Sequence, residues 1–283
     1  MKLYVKRAWQ SRQFMFLFLC AVILILIPVF APWVAPNDPI ANDYKNMMIS
    51  GSAQYPLGTD QIGRCILSRL IYGGRTSLLI VFWVIAIISV GGILIGVISG
   101  YVGGKTDMVI TRLTDMVMAI PSMVFVIALV SVLGSSLNHT VLAMSLVGWT
   151  EYARVSRALV LSIKNNAYVE EARMGGLSEL QIIRRYILPN VFPYLLVNIT
   201  QDIGANLLTL AGLSLLGLAS QPPTPEWGFM LSEGRKFIQS APWLIIYPGM
   251  TIVLHVIIFN LLGDSLRDIL APRYEGRKKR KRR

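Results

Sequence analysis

Cysteine and histidine are scarce in this 283-residue chain, with two of each. Cys20 lies inside an apolar run and Cys65 in a polar segment, which excludes a disulfide framework and any metal-ligand spacing. His139 and His255 stand far apart, and no constellation for acid–base or nucleophilic catalysis emerges. Acidic residues are also few, 15 Asp and Glu against 27 Lys and Arg, so the net charge is +12. A basic balance can mean nucleic acid, but here the cations alternate with apolar runs instead of forming one groove, so no nucleic-acid partner is expected. A phosphate loop is missing too. Gly103-Gly-Lys-Thr106 would need glycine five residues before Gly104, where Ser99 stands, and a preceding strand. Nucleotide chemistry must come from another chain.

Apolar sequence is abundant. Hydrophobic residues make up 54% and mean hydropathy is +0.57, which puts the chain in the membrane class. Phe14 to Val34 follows Lys2, Lys6, Arg7 and Arg12 and is long enough to span. It exceeds a signal-peptide core and ends in Pro28, Pro32 and Pro36, so a retained helix is expected. Asn37 to Thr76 reads as a polar, turn-rich outer loop with an amphipathic helix from Cys65 to Tyr72. Ser77 to Tyr101 is the second span, and its Gly91, Gly92, Gly96 and Gly100 suit close helix approach. Met116 to Leu133 is the third, with Arg112 and Asp115 spaced to pair at its entrance. Gly134 to His139 is an outer turn. The fourth span runs from Thr140 past Glu151, Arg154 and Arg157 to Ile163, leaving the bilayer as a helix. Val191 to Ala219 is the fifth and Trp243 to Leu262 the sixth, joined by the outer segment Ser220 to Pro242. Arg277 to Arg283 is a basic tail suited to anionic headgroups.

The positive-inside rule supports one orientation. With both termini inside, the only Lys and Arg left outside are Lys45, Arg64, Arg69, Arg75, Arg235 and Lys236. The expected division is therefore 1–36 as N-terminal segment and first helix and 37–76 as outer loop. Residues 77–268 then form the transmembrane domain and 269–283 the cytoplasmic tail.

Between the fourth and fifth spans lies a polar stretch, 164–190, that reads as two helices around Gly175-Gly176. Asn165-Asn166 precede the first helix, and Glu170 and Glu171 sit in its early turns, where the helix dipole favours anions. Ser178-Glu-Leu-Gln181 is a capping-box pattern opening the second. Leu177, Leu180, Ile183 and Ile187 give that helix a face to bury, and Pro189 is expected to end it at Leu188. On the fifth span, Asp202 and Asn206 are i,i+4 and share one face, flanked by Asn198 and Gln201. Polar groups at that depth are expected to look into protein or a water-filled path.

The 164–190 segment resembles the coupling loop of ABC importer permeases. Glu170, Ala172, Gly176, Leu188 and Pro189 fall in register with the Glu-Ala-Ala, Gly and Ile-x-Leu-Pro pattern. Glu171 replaces the usual first alanine, and Tyr186 stands where isoleucine is typical. Leu57-Gly-Thr-Asp60 with Gly63-Arg64, and the run Leu213 to Leu218 with Pro222 to Gly228, are similar to the second permease subunit of dipeptide, oligopeptide and nickel importers. Cys65 stands where that family usually has aspartate. The resemblance implies an all-α membrane protein of the type I ABC importer permease fold, with six transmembrane helices and cytoplasmic coupling helices. It implies a homologous permease partner, two ABC ATPase subunits that bind and hydrolyse ATP with magnesium, and an extracytoplasmic substrate-binding protein. No cofactor or metal is expected in this chain, and no catalysis. The coupling set would be Glu170, Glu171, Ala172, Arg173, Gly176, Leu188 and Pro189, with Gly176 supplying the turn and the charged residues the polar contacts. Asp202 and Asn206 would line the translocation path in a prokaryotic plasma membrane. Peptide, nickel and a metal–chelator complex all fit such a permease. An ion-coupled secondary transporter would need paired ionisable groups, for which only Asp202 and Asp264 are available, and a structural membrane protein would need no polar groups inside its spans.

Overall fold

The computed structural model describes residues 7–270, so the basic tail Arg277 to Arg283 and the leading Lys2 and Lys6 lie outside the described residues. The elements in chain order are α1 (Arg12–Val29), α2 (Ala31–Val34), α3 (Ile66–Val102), α4 (Gly104–Met118), α5 (Ser122–Leu133) and α6 (Leu137–Ile163). After them come α7 (Ala167–Met174), α8 (Glu179–Ile182), a π turn (Ile183–Ile187), α9 (Leu188–Leu215), α10 (Trp227–Gly234) and α11 (Trp243–Leu270). No strand forms among the described residues; Thr59 and Cys65 make one isolated bridge.

α1, α3 and α11 are long and apolar enough to cross a membrane, and the pair α4 and α5 makes a fourth candidate. α6 and α9, of 27 and 28 residues, are each about 40 Å long at the α-helical rise. Their polar side chains keep them below the apolar standard the other helices meet.

Four sequence expectations are corrected. The amphipathic helix and second span are one helix, since α3 runs unbroken from Ile66. Gly73 and Gly74 do not break it, because they lie against the buried Trp227 ring, where a side chain would collide. The third span is not a single rod: α4 and α5 meet at 83°. Pro121 N-caps α5, and its ring excludes a straight continuation. Arg112 does not pair with Asp115. That carboxylate accepts instead from Arg154 on α6 at 2.9 Å, and both partners are half-exposed. Finally, the helix does not stop at Leu188, which has helical dihedrals (φ −55°, ψ −45°). The π turn ahead of it lets Leu188 N–H donate to Ile183 C=O, five residues back, and so accommodates Pro189, which has no N–H to give.

Two cores result. The larger joins the centre of α3 to α6, α9, α10 and α11 through side chains such as Val81, Val84, Leu207, Leu210 and Phe259. α3 and α6 approach closely because a Cβ on Gly92 would fall 2.4 Å from Trp149 O, and one on Gly96 2.3 Å from Ala153 O. Gly91, expected to share in this, faces open space. The smaller core gathers Val97, Val160, Val169, Ala172, Ile182, Ile187, Val191 and Leu195, so α7 and α8 pack on the ends of α3, α6 and α9.

The segment between α2 and α3 is pinned by polar contacts. Asp43 accepts from Asn46 at 2.7 Å and Tyr55 at 2.8 Å, and these bonds, that from Asn46 foremost, hold its carboxyl below the usual range. Arg64 and Arg69, both buried, bind Asp60 and reach Glu233 on α10 at 2.7 and 2.6 Å. α10 is tied down at its other end as well. Glu226 caps it through Gly228 and Phe229 N–H and accepts from Ser77 on α3 at 3.0 Å, while Trp227 Nε1 donates to Leu70 O.

Candidate functional site

The turn between α7 and α8 is a complete Schellman closure. Gly176 N–H donates to Arg173 O at 3.1 Å and Leu177 N–H to Ala172 O at 3.3 Å. Gly176 sits at φ +80°, the left-handed region that such a closure requires and that glycine enters without strain. Leu177 then packs in the small core beside Ala172. One residue on, Ser178 and Gln181 form the capping box: Gln181 N–H donates to Ser178 Oγ at 3.4 Å, and Ser178 N–H to Gln181 Oε1 at 2.9 Å. Asn166 N-caps α7 with extended backbone, but its side chain makes no cap bond.

The side chains of this module point two ways. Ala172 is buried, so a larger residue there would press into Val169 and Ile182. Glu170, Glu171, Gly176 and Pro189 are exposed, and Leu188 is half-buried at the edge of the small core. Arg173 is exposed but turns inward along the surface, its Nε 3.8 Å from Glu179, whose carboxylate also accepts from Tyr101 on α3. The buried face of the second helix differs from the expected one. Leu177, Ile183 and Ile187 pack in the small core as expected, but Leu180 is 74% exposed and the fully buried Ile182 takes its place. Leu177 lies in the turn ahead of the Ser178 N-cap, outside the helix that starts at Glu179, so a helical register counted forward from it selects the wrong side chain. Met174, 81% exposed, joins Leu180 as apolar surface on the same module.

Just inside this module, Asp107 at the start of α4 accepts from Arg157 Nη2 at 2.7 Å and from Ser99 Oγ. Lys164 Nζ donates to Gly100 O at 2.9 Å. These bonds fasten the α3–α4 turn to α6. Sequence reading missed Asp107, Ser99, Tyr101 and Glu179, whose partners lie eight to 78 residues away.

Asp202 and Asn206 do share a face of α9, and both line a cavity of about 210 Å³ together with Glu151, Tyr152, Ser122 and Thr209. Tyr152 Oη donates to Asp202 Oδ2 at 2.5 Å, and Asn206 Nδ2 donates to Asp202 O at 2.9 Å. Gln201 does not flank this face. It turns to α11, donating to Asp264 at 2.9 Å and accepting from Arg267 at 3.1 Å. Asp202 and Asp264 therefore hold separate partners. Among the described residues, no group of three or more His, Cys, Asp or Glu could hold a metal ion.

A bundle of apolar helices with a polar cavity inside and a separate helical module at one end is built as an integral membrane permease. The family described as "Binding-protein-dependent transport system inner membrane component" matches residues 92–276. The chain is 39% identical over 262 residues to the di/tripeptide transport system permease protein DppC of Pseudomonas aeruginosa (strain UCBPP-PA14), covering 90% of this chain and 86% of that one. It is 36% identical over 272 residues to the nickel transport system permease protein NikC of Escherichia coli (strain K12), covering 96% and 97%. Among solved structures, the inward-facing MetNI methionine ABC transporter superposes with a TM-score of 0.59 at 18% identity, over 72% of this chain and 97% of that one. The chain belongs to this family of inner membrane components and is an ABC importer permease of the peptide and nickel group.

Proposed function

We propose that the chain forms half of a translocation path, paired with a homologous permease and driven by two ATPase subunits seated on α7 and α8. In this reading six segments span the membrane, namely α1, α3, the bent pair α4–α5, α6, α9 and α11, with both termini cytoplasmic. α6 and α9 fall short in hydropathy because they carry Glu151, Tyr152, Asp202 and Asn206 on the cavity side, where polar groups escape the cost of facing lipid. ATP and magnesium belong to the partner subunits, and an extracytoplasmic binding protein delivers a peptide, nickel or a metal–chelator complex. The charged residues Glu170, Glu171 and Arg173 meet the ATPases, while Ala172 anchors the module to its own core.

One observation carries the proposal. The coupling module is continuous with the cavity helix, because α8, the π turn and α9 form a single helical course from Glu179 to Leu215. Displacing α7 and α8 thus moves Asp202 and Asn206 with no intervening loop to absorb the motion. The test is cysteine placed at 202 or 206 in a background lacking Cys20 and Cys65, in the complex with its partner subunits. Reaction with a small water-soluble thiol reagent is expected, with a rate that changes when ATP is trapped in the ATPases. A cysteine that stays unreactive in every nucleotide state would remove this face from the path.

A further inference from the structure

A second cavity, of about 540 Å³, opens where α9 ends, away from the coupling module. Its volume falls within the range of small-molecule sites, roughly 300–1,000 Å³. Leu215, Phe229 and Phe237 supply apolar wall, and Ser232, Arg235 and Lys236 supply polar groups. Glu233 and Gln61 also line it, but the Glu233 carboxylate is already engaged. Its Oε1 accepts from Arg64 at 2.7 Å and Gln61 at 3.0 Å, and its Oε2 accepts from Arg69 at 2.6 Å. With Asp60 bound to Arg64 Nε at 2.6 Å, two carboxylates cancel two guanidiniums, both buried. Arg235 and Lys236 are exposed and make no ion pair among the described residues. The cavity therefore presents two uncompensated positive charges beside aromatic wall. The inner cavity is the reverse, with Glu151 and Asp202 in its lining and no cation. About 20 Å of α9 separates Asp202 from Leu215.

We infer that the cavity at the end of α9 receives small solutes bearing a carboxylate, which Arg235 and Lys236 hold against Phe229 and Phe237. Charge-assisted hydrogen bonds to a carboxylate are among the strongest polar contacts, and an apolar side chain on the same solute would cover the aromatic wall. A bare divalent cation is repelled by the same pair. A peptide with a free C-terminus passes this test, and so does a metal held by a carboxylate chelator; an unchelated metal ion does not. The inference rests on the importer reading only for the direction in which solute then moves, from this cavity toward Asp202.

The experiment uses the full chain with its partner subunits in lipid nanodiscs, in a background lacking Cys20 and Cys65, with Ser232→Cys as reporter. Leucyl-phenylalanine should protect that cysteine from a thiol reagent, and its C-terminal amide should protect about tenfold less well, as expected for the loss of a charged hydrogen-bonding partner. Arg235→Gln with Lys236→Gln should erase the difference, whereas Arg235→Lys should keep most of it. Nickel chloride alone should give no protection. Equal protection by acid and amide, protection by neither, protection by nickel alone, or undiminished discrimination in the double variant would each overturn the inference. Nucleotide-dependent reactivity at position 202, measured in the same preparations, separates the two readings. If it persists while charge discrimination is absent, only this inference fails; if it is absent while discrimination holds, Asp202 leaves the proposed path and this site stands.

Discussion

Replacing Gly176 isolates backbone conformation from packing. A Cβ at this position meets nothing within 4 Å, so no substitution there is penalised by collision. What remains is the φ of +80° that closes the Schellman turn between α7 and α8. An L-residue held in that region costs about 1–2 kcal/mol, a β-branched one more, and asparagine the least. With 1.4 kcal/mol worth a factor of ten in population, Gly176→Ala should leave the closed turn roughly ten times less favoured relative to open forms. Gly176→Asn should be nearly silent, and Gly176→Val should disrupt the turn outright. Nucleotide-driven uptake and ATPase stimulation in the reconstituted complex are expected to fall in the order Asn, Ala, Val, with membrane insertion intact. Gly104 serves as a control, since it has φ +57° and equally open surroundings but lies outside the coupling module. Gly104→Ala should cost comparable stability and leave the ratio of uptake to ATP hydrolysis unchanged. If the Val variant at 176 matches the Asn variant, or if the losses follow side-chain volume, the turn is not what the coupling depends on.

Two further outcomes follow from the packing. Gly96→Leu would bring Cβ within 2.3 Å of Ala153 O, a backbone atom that cannot swing aside, so α3 and α6 must separate. A loss of about 1–3 kcal/mol is expected, the usual cost of overpacking, read as a lowered Tm in detergent, whereas Gly91→Leu should leave Tm unchanged. Pro189→Ala restores an N–H where the π turn now accommodates its absence and should let the helix relax to regular α geometry. Its Tm should hold or rise while uptake per ATP falls; a lowered Tm with normal uptake would show that the π turn is incidental.

Much of the α7–α8 module could be read from the sequence because its determinants are local. The capping box, the glycine pair and the acidic first turn of α7 act within four or five residues, and each was found where spacing placed it. The pairing of Asp202 with Asn206 was visible for the same reason. What escaped were features set by distant segments or by a change of helical repeat. The charge pairs that fasten the bundle are Arg154 with Asp115, Arg157 with Asp107, and Glu233 with Arg64 and Arg69; their partners are 39 to 169 residues apart. No spacing rule reaches that far. Leu180 was assigned to the wrong side because the count started at Leu177, which lies in the turn before the helix. The elbow at Pro121 was missed because an apolar run reads the same whether straight or bent.

The arrangement of glycines also shows where this molecule can move. α3 lies on α6 with Gly92 and Gly96 against backbone atoms, and α9 lies on α11 with Gly204 against Val256 and Gly263 against the Gln201 side chain. Contacts this close resist sliding, because any shift drives atoms into one another, and close-packed interiors rearrange by discrete steps rather than continuous deformation. Each pair is therefore closely keyed. Where α6 faces α9 lies the 210 Å³ cavity, across which Tyr152 on α6 donates to Asp202 on α9, while α3 and α9 meet in the larger core. The helical course from Glu179 runs unbroken to the Asp202 side of the cavity, while Asp107, Arg157 and Lys164 tie α6 to the α3–α4 turn. On the proposed reading, a push on α7 and α8 would travel along this course and change the cavity, the response that alternating access would require.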